Sequence, residues 1–346
     1  MKAIVIHEHG GVDKLRYEDV PSPEPGPGDV VIQVHAAGLN HFDHDVREGL
    51  SGIDHPKPHI MGLEAAGTVA AIGTAVTGFK TGDRVAPVFA LSAGRCNLPV
   101  CNCEKGLDNL CPVGGILGVT HPGCYAEYVK VAAHNVLHLP EGLDFEEAAS
   151  VQVTMATAWH MMVTQLRLIP GETVLVNAAG SGIGSSAIQI GKLLGATVIT
   201  TAGQDEKLRQ AKELGADFTI NYTEKNISAE VMDITRGRGV DAVVESVGGT
   251  ALQQSLDALA WGGRLATCGA HAGETVPINI IEFFRKEISM TGTHGATKGQ
   301  IAEVFRLVTA KKLRPIIHSR FALADAAKAH ELADSRNFFG KILLCP

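Results

Sequence analysis

Apolar residues along the chain follow two different rhythms. In the first part, short apolar runs at Met1–Ile6, Val30–Ala37, Gly67–Ile72, Arg84–Phe89 and Tyr125–Val131 are separated by glycine, proline and polar stretches. Residues 21–29, PSPEPGPGD, carry too much proline and glycine for regular structure and read as a turn. Short strands with frequent turn signals predict a compact, partly barrelled β-rich domain over 1–150. Beyond it the pattern changes. Strands are predicted at Thr173–Asn177, Thr197–Thr201, Asp217–Ile220, Ala242–Glu245, Arg264–Thr267 and Ile288–Gly292. Helices are predicted at Ser185–Leu194, Asp205–Leu214, 227–236, 250–260 and 299–311. Strands alternating with helices need crossover connections, hence an α/β fold with a doubly wound parallel sheet, the Rossmann dinucleotide-binding domain, over 151–297. The last segment, 298–346, ends in a tail too short to fold alone, and it is expected to pack back onto the first domain.

Composition narrows the function without setting it. Hydrophobic residues make up 45% and charged residues 19%, a globular balance. Aromatics are only 5% and the net charge is −7, which argue against a nucleic-acid partner. The opening MKAIVIHEHGG shows neither a long apolar core nor a small-residue cleavage site, and no stretch has the apolar length of a membrane span. The expectation is a soluble, cytoplasmic protein with no membrane partner. Four of the seven cysteines, Cys96, Cys101, Cys103 and Cys111, fall in one short window. In a reducing compartment such clustering points to metal before disulfide. Cys124, Cys268 and Cys345 stand alone and read as small buried hydrophobes.

The strongest local signal is the run from Val174 to Gly184, VLVNAAGSGIG. A strand ends, small residues turn, and a helix begins at Gly180, Ser181, Gly182, Ile183 and Gly184. Glycine lets a ligand approach the backbone closely, and the helix N-terminus offers free N–H groups to a pyrophosphate. Where an NAD site would carry an acid after the second strand, this chain has Thr200, Thr201, Ala202, Gly203 and Gln204, with Lys207 following. The missing acid and the nearby cation favour NADP(H), with NAD(H) left open.

By these residues the chain resembles the medium-chain dehydrogenase/reductase superfamily, in its quinone oxidoreductase-like and bacterial zinc-binding dehydrogenase branch. The resemblance spans the opening MKAIVIHEHGGVDKLRYEDVPSPEPGPGDVVIQVHAAGLNHFDHDVREG, GCYAEYV, TAWHM at 157–161, AAGSGIGSSAIQIGKLLGA, TAGQDEKLRQAKELGAD, INY, RGRGVDAVVESVG and the closing FGKILL. It implies a GroES-like catalytic domain, a cofactor domain and an active site in the cleft between them. It implies that Lys207, Tyr222 and Arg336 hold the NADPH phosphate, and that Thr201, Val247 and Gly269 join the cofactor site. Thr157 and the backbone near Gly269 would position the nicotinamide. A homodimer or homotetramer is expected, with Ile288–Gly292 as the edge strand that pairs across copies.

The resemblance also implies what is missing. Zinc-dependent members use a cysteine where this chain has Asn40, and a histidine where Gly62-Leu63-Glu64 has Leu63; residues 148–158, AASVQVTMATA, supply neither Cys nor Asp. One surviving carboxylate, Glu64, is a poor zinc site, so no catalytic zinc is expected. Asn40 would instead donate to substrate or nicotinamide, while Asp43 and Arg47 organise the same turn, Asp43 having a helix cap or Asx turn as its structural alternative. His41 or solvent would supply the proton. His41, His44 and His59 read as surface or supporting histidines rather than metal ligands. The run from Cys103 to Cys111 matches the second half of the family's structural zinc lobe. The first half departs from it, with Ala93 where a cysteine is expected and an apparent insertion at 97–102. Four thiolates still suffice for one closed structural zinc site.

The expected activity is hydride transfer from NADPH to a quinone, an enone or a related activated carbonyl compound. Two alternatives stay open on the sequence. One is an alcohol dehydrogenase, or ketone or aldehyde reductase, with a non-standard metal site including Glu64 and a histidine. The other is an NADPH-binding protein with a structural or regulatory role.

Overall fold

A computed structural model describes every residue of the chain except 97–99. The chain divides into two compact units, Met1–Val153 with Ala296–Pro346, and Thr154–Gly295. The first unit is discontinuous in sequence. Its central strand is β1 (Asp29–Leu39), followed directly by helix α1 (His41–Glu48). Strand β2 (Glu64–Ile72) pairs antiparallel with β1 along nearly its whole length, with Gly38 opposite Glu64. The pairing explains Gly38. A Cβ there would stand 2.4 Å from Glu64 Oε1 and 2.5 Å from the Ala149 carbonyl, so only glycine leaves room for that carboxylate.

The second unit is a six-stranded sheet in which every pairing is parallel. In chain order it includes β3 (Thr173–Val176), α2 (Gly182–Leu193), β4 (Thr197–Ala202), α3 (Asp205–Glu213), β5 (Phe218–Asn221), β6 (Val240–Glu245), β7 (Leu259–Thr267), α4 (Ile280–Arg285) and β8 (Ser289–Gly292), with further helices at Ile227–Ile234 and Gly249–Asp257 on the connections from β5 to β6 and from β6 to β7. The sheet order is β5-β4-β3-β6-β7-β8, so the order reverses between β3 and β6. The central strands are buried on both faces and read as continuous apolar runs, as parallel strands between helix layers do. Each predicted strand is present. The largest boundary difference is β7, which starts at Leu259, ahead of the predicted Arg264. A Gly262–Gly263 pair inside it masks the strand from an apolar-run reading.

The chain then returns to the first unit. Helix α5 (Ala326–Asp334) packs there, and strand β9 (Lys341–Cys345) inserts between β1 and the strand at Ile317–Ala322. Its register sets Ile342 against Leu39 and Leu343 against Gly38. The core of this unit accordingly mixes Ile4, Val30 and Val69 with Leu323, Ile342 and Leu344. No helix among the described residues is long and apolar enough to cross a membrane.

Candidate active site and cofactor site

Asn40 sits at the turn from β1 into α1, and three chain segments meet on it. Its amide nitrogen donates to the Gly38 carbonyl at 3.3 Å and to Glu64 Oε1 at 3.0 Å. Its amide oxygen accepts from Lys341 Nζ at 2.7 Å. Lys341 leads strand β9 and is buried, and its ammonium also donates to the Leu39 carbonyl at 2.8 Å and to Glu64 Oε1 at 2.6 Å. All three ammonium donors are thus taken. Glu64 is fully buried, and its second oxygen accepts the Val153 N–H at 2.9 Å. A carboxylate in such a place is costly without a partner, and Lys341 is that partner. The amide group of Asn40 cannot turn over, because its oxygen faces a cation and its nitrogen an anion.

This geometry corrects the role expected of Asn40. Both of its N–H donors point into the protein, so the residue anchors the turn and offers no free donor to a substrate. Nor do these positions form a metal-binding donor set. Leu63 is a buried apolar side chain, Asn40 an engaged amide, and Glu64 an ion-paired carboxylate. Lys341 was not singled out by sequence reasoning. Its signal was a lone charge opening the apolar run KILLC.

Asp43 is fully buried one turn into α1. One carboxylate oxygen accepts the Asn40 N–H at 2.8 Å, the helix-cap alternative, and the Tyr125 hydroxyl at 2.9 Å. Burial pushes the Asp43 carboxyl up to about 7, against the lowering effect of those two donors. Both of these contacts hold the turn from inside the protein. Arg47, fully buried on the same helix, donates to the Gly10 carbonyl at 3.2 Å and lies 3.0 Å from His330 Nδ1 on α5. The rings of His41 and His44 stack at 5.5 Å, confirming the single helical turn they share. His41 is half exposed and near Asp45, whereas His44 is buried with Nδ1 2.6 Å from Asp334 Oδ1. Burial pushes the His44 imidazole down to about 4.

The cysteine lobe brings its thiols together. Sulfurs of Cys96, Cys101 and Cys103 all lie within 4.8 Å of one another. Cys111 Sγ accepts the Ala93 N–H at 3.4 Å and a hydrogen bond from the Cys103 thiol. Cys101 Sγ in turn accepts the Cys96 N–H at 3.4 Å. Four nearby thiols, two of them (Cys101 and Cys111) accepting backbone N–H groups, are a donor set that fits a closed tetrahedral zinc site. The insertion read at 97–102 falls in part on 97–99, outside the described residues.

In the second unit, β3 ends at Val176 and the loop leads into α2. Ser181 caps the helix, its hydroxyl accepting the Gly184 N–H at 2.9 Å. A Cβ on Gly184 would lie 2.1 Å from the Ala178 carbonyl, so loop and helix are packed as tightly as a glycine permits. The first turn of the 12-residue helix α2 begins at Gly182, with Ile183 half-buried beside it and Gly180 buried before it. This arrangement fits a dinucleotide pyrophosphate. Thr201 is placed differently from expectation. It is buried, its hydroxyl accepts the Ala178 N–H at 3.2 Å and donates to Asn177 at 3.2 Å, so it braces the loop from within.

Lys207 lies in the first turn of α3. Tyr222 is half exposed, and a Cβ at Gly203 would meet its hydroxyl at 2.8 Å, which puts the ring against the end of β4. The two acids nearby are engaged elsewhere: Asp205 with Asn221 at 3.0 Å, and Glu206 with Arg209 at 2.6 Å. Arg336 belongs to the first unit, exposed just beyond α5 with φ 55°. Thr157 is buried in the helix Thr154–Trp159, which runs into a π-helical turn at His160–Gln165. Val247 and Gly269 lie in the loops after β6 and β7, both half-buried. Between those loops sits Glu245, fully buried and also missed in the sequence. Burial raises its carboxyl, while hydrogen bonds from Val247, Gly248, Thr267 and Asn177 lower it.

Comparison with known proteins agrees with this architecture. Residues 26–141 match the alcohol dehydrogenase GroES-like domain, and residues 182–310 match the zinc-binding dehydrogenase domain. A quinone oxidoreductase of Pseudomonas aeruginosa is 34% identical over 100% of this chain and 99% of its own length. A 2-haloacrylate reductase of a Burkholderia species is 32% identical over 99% of this chain and 98% of its own. The crystal structure of an NAD-dependent alcohol dehydrogenase superposes with a TM-score of 0.94 at 42% identity, covering 100% of both chains. The chain belongs to the medium-chain dehydrogenase/reductase superfamily. It is an oxidoreductase of that family, which works on small molecules with a nicotinamide cofactor.

Proposed function

We propose that the chain is an NADPH-dependent reductase that works without catalytic zinc and delivers hydride to a quinone, an enone or a related activated carbonyl compound. Lys341 carries the reading. Its ammonium engages both Glu64 and Asn40, which leaves the zinc position with no free donor set. Acceptors of this class delocalise the incoming negative charge themselves and depend less on a Lewis acid. The nicotinamide supplies the hydride when bound. The chain's part is orientation, through the α1 turn that Asn40 and Asp43 hold and the contacts of Thr157, Val247 and Gly269. The proton reaches the reduced acceptor from solvent or His41. The relatives named for quinone and 2-haloacrylate reduction support an acceptor of this kind.

The phosphate-bearing cofactor is supported by Lys207 and Tyr222 at the end of β4, with both nearby acids engaged elsewhere. Arg336 completes the phosphate set in this reading. One structural zinc per chain, held by Cys96, Cys101, Cys103 and Cys111, is part of the proposal, and metal analysis of the purified protein checks it. So is assembly into a homodimer or homotetramer. Strand β8 is a sheet edge paired only with β7 among the described residues, and Ile280, Ile281, Phe284, Met290 and Trp261 are exposed in the β7–β8 region that includes α4. A bare edge with apolar neighbours calls for a partner, and a second copy of the same edge supplies one.

The test is a screen of quinones, enones, aldehydes, ketones and alcohols with NADPH or NADP⁺ and with NADH or NAD⁺. Turnover of quinones or enones with NADPH is expected. Oxidation of simple alcohols with NAD⁺ alone would overturn the reading, in the direction of the NAD-dependent alcohol dehydrogenase neighbour.

A further inference from the structure

We propose that Glu245 is an anionic positioning residue beneath the loops that receive the nicotinamide, favouring that ring in its oxidised, cationic form. Glu245 is the last residue of β6 and has no exposed surface. Its Oε1 accepts the N–H groups of Val247 at 2.7 Å and Gly248 at 3.0 Å. Its Oε2 accepts the Thr267 hydroxyl at 3.2 Å, and that hydroxyl also reaches the Gly269 carbonyl at 3.3 Å. The carboxylate thus ties the loop after β6 to the loop after β7. It does so beside the β3–β6 boundary, where the strand order reverses and where sheets of this kind hold their ligands.

The surroundings give Glu245 donors but no counter-charge. Two backbone N–H groups can only donate, so the carboxyl accepts through Oε1, and both oxygens are acceptors in its ionised form. No ion pair involves Glu245 among the described residues. Nor is it among the side chains there that are grouped closely enough to hold a metal ion. Neutral donors recover part of the cost of burying a charge, and the remainder favours a ligand that arrives with a positive charge. Loss of a hydride, which takes both electrons of its C–H bond to the acceptor, leaves the nicotinamide ring with one positive charge. A fixed anion nearby stabilises that charge as it develops.

This inference rests on nicotinamide binding by this unit. The experiment measures dissociation constants of NADP⁺ and NADPH, and of NAD⁺ and NADH, for the wild-type protein and Glu245→Gln. The amide can accept from Val247 and Gly248 through its oxygen and donate to Thr267 through its nitrogen, so the substitution removes the charge and keeps those three contacts. The oxidised forms should bind about ten-fold more weakly in the variant, with the reduced forms changed by less than about two-fold. An equal change in both forms, or none, overturns the proposal. Thr267→Val, which keeps the charge and removes a neutral donor, should weaken both forms by the same factor; unequal weakening there overturns it too, even if Glu245→Gln does not fold. If the wild-type protein binds none of the four dinucleotides, it is the nicotinamide reading that fails. If it binds them and Glu245→Gln leaves the oxidised-to-reduced ratio unchanged, this inference alone fails.

Discussion

At the scale of single residues, the proposal turns on Lys341, a buried cation bonded to Asn40 and Glu64. The sequence exposed half of it. Asn40 and Leu63 stand where the family's zinc ligands would be, and Glu64 survives. It did not expose Lys341, because the partners lie 277 and 301 positions away and no local pattern reports such a pairing. Removing one member of a buried pair strands the other. Lys341→Met should therefore lower stability by about 3–5 kcal/mol, read as the shift of the urea midpoint. Lys341→Met combined with Glu64→Gln should recover most of that loss. A double variant as unstable as the single one would show that the ammonium contributes packing rather than charge.

At the scale of elements, α1 is held to β1 by the Asp43 carboxylate on the Asn40 N–H and the Tyr125 hydroxyl. Its folded pKa of about 7 lies above the ordinary carboxylate value near 4. The folded protein therefore keeps a proton that the unfolded chain releases. The stability from this group is full below about pH 4, falls as pH rises toward 7 and levels off above it. Asp43→Asn should flatten that part of the stability–pH curve; an unchanged curve in thermal melts between pH 4 and 8 would contradict the assignment. The glycine loop was the most legible element, since the turn chemistry and the helix start are written in adjacent residues. Thr201 was less so. Its place at the end of β4 was clear from sequence, but whether its hydroxyl faced the ligand or the loop depended on Asn177, a residue of the neighbouring strand. In the first turn of α3, which follows β4, Lys207→Ala should weaken NADPH by about ten-fold while leaving NADH within about two-fold, measured by fluorescence titration. Equal losses for the two cofactors would remove Lys207 from the phosphate site.

At the scale of the whole molecule, the chain leaves its first unit, builds a complete parallel sheet, and returns with strand β9 to finish the first. The alternation of strands and helices made the second unit readable from periodicity. The first was readable as β-rich, but its closure was not, because β9 pairs with β1 across some 300 residues. That return is what delivers Lys341 to Glu64, so the Asn40–Glu64 cluster of this unit depends on its last strand. In the second unit, Phe284→Asp on α4 should convert the proposed homo-oligomer to monomers in light scattering, by placing a charge among the exposed apolar residues near β8; an unchanged mass would move the interface elsewhere. The central claim is hydride transfer without catalytic zinc. Its most direct test is kcat with NADPH and a quinone or enone, measured before and after chelation, with bound zinc quantified per chain. The account predicts that kcat stays within about two-fold while the chain remains folded, whatever zinc the four cysteines keep. Loss of kcat on chelation and its return with a zinc ion beyond the four-cysteine site would contradict it.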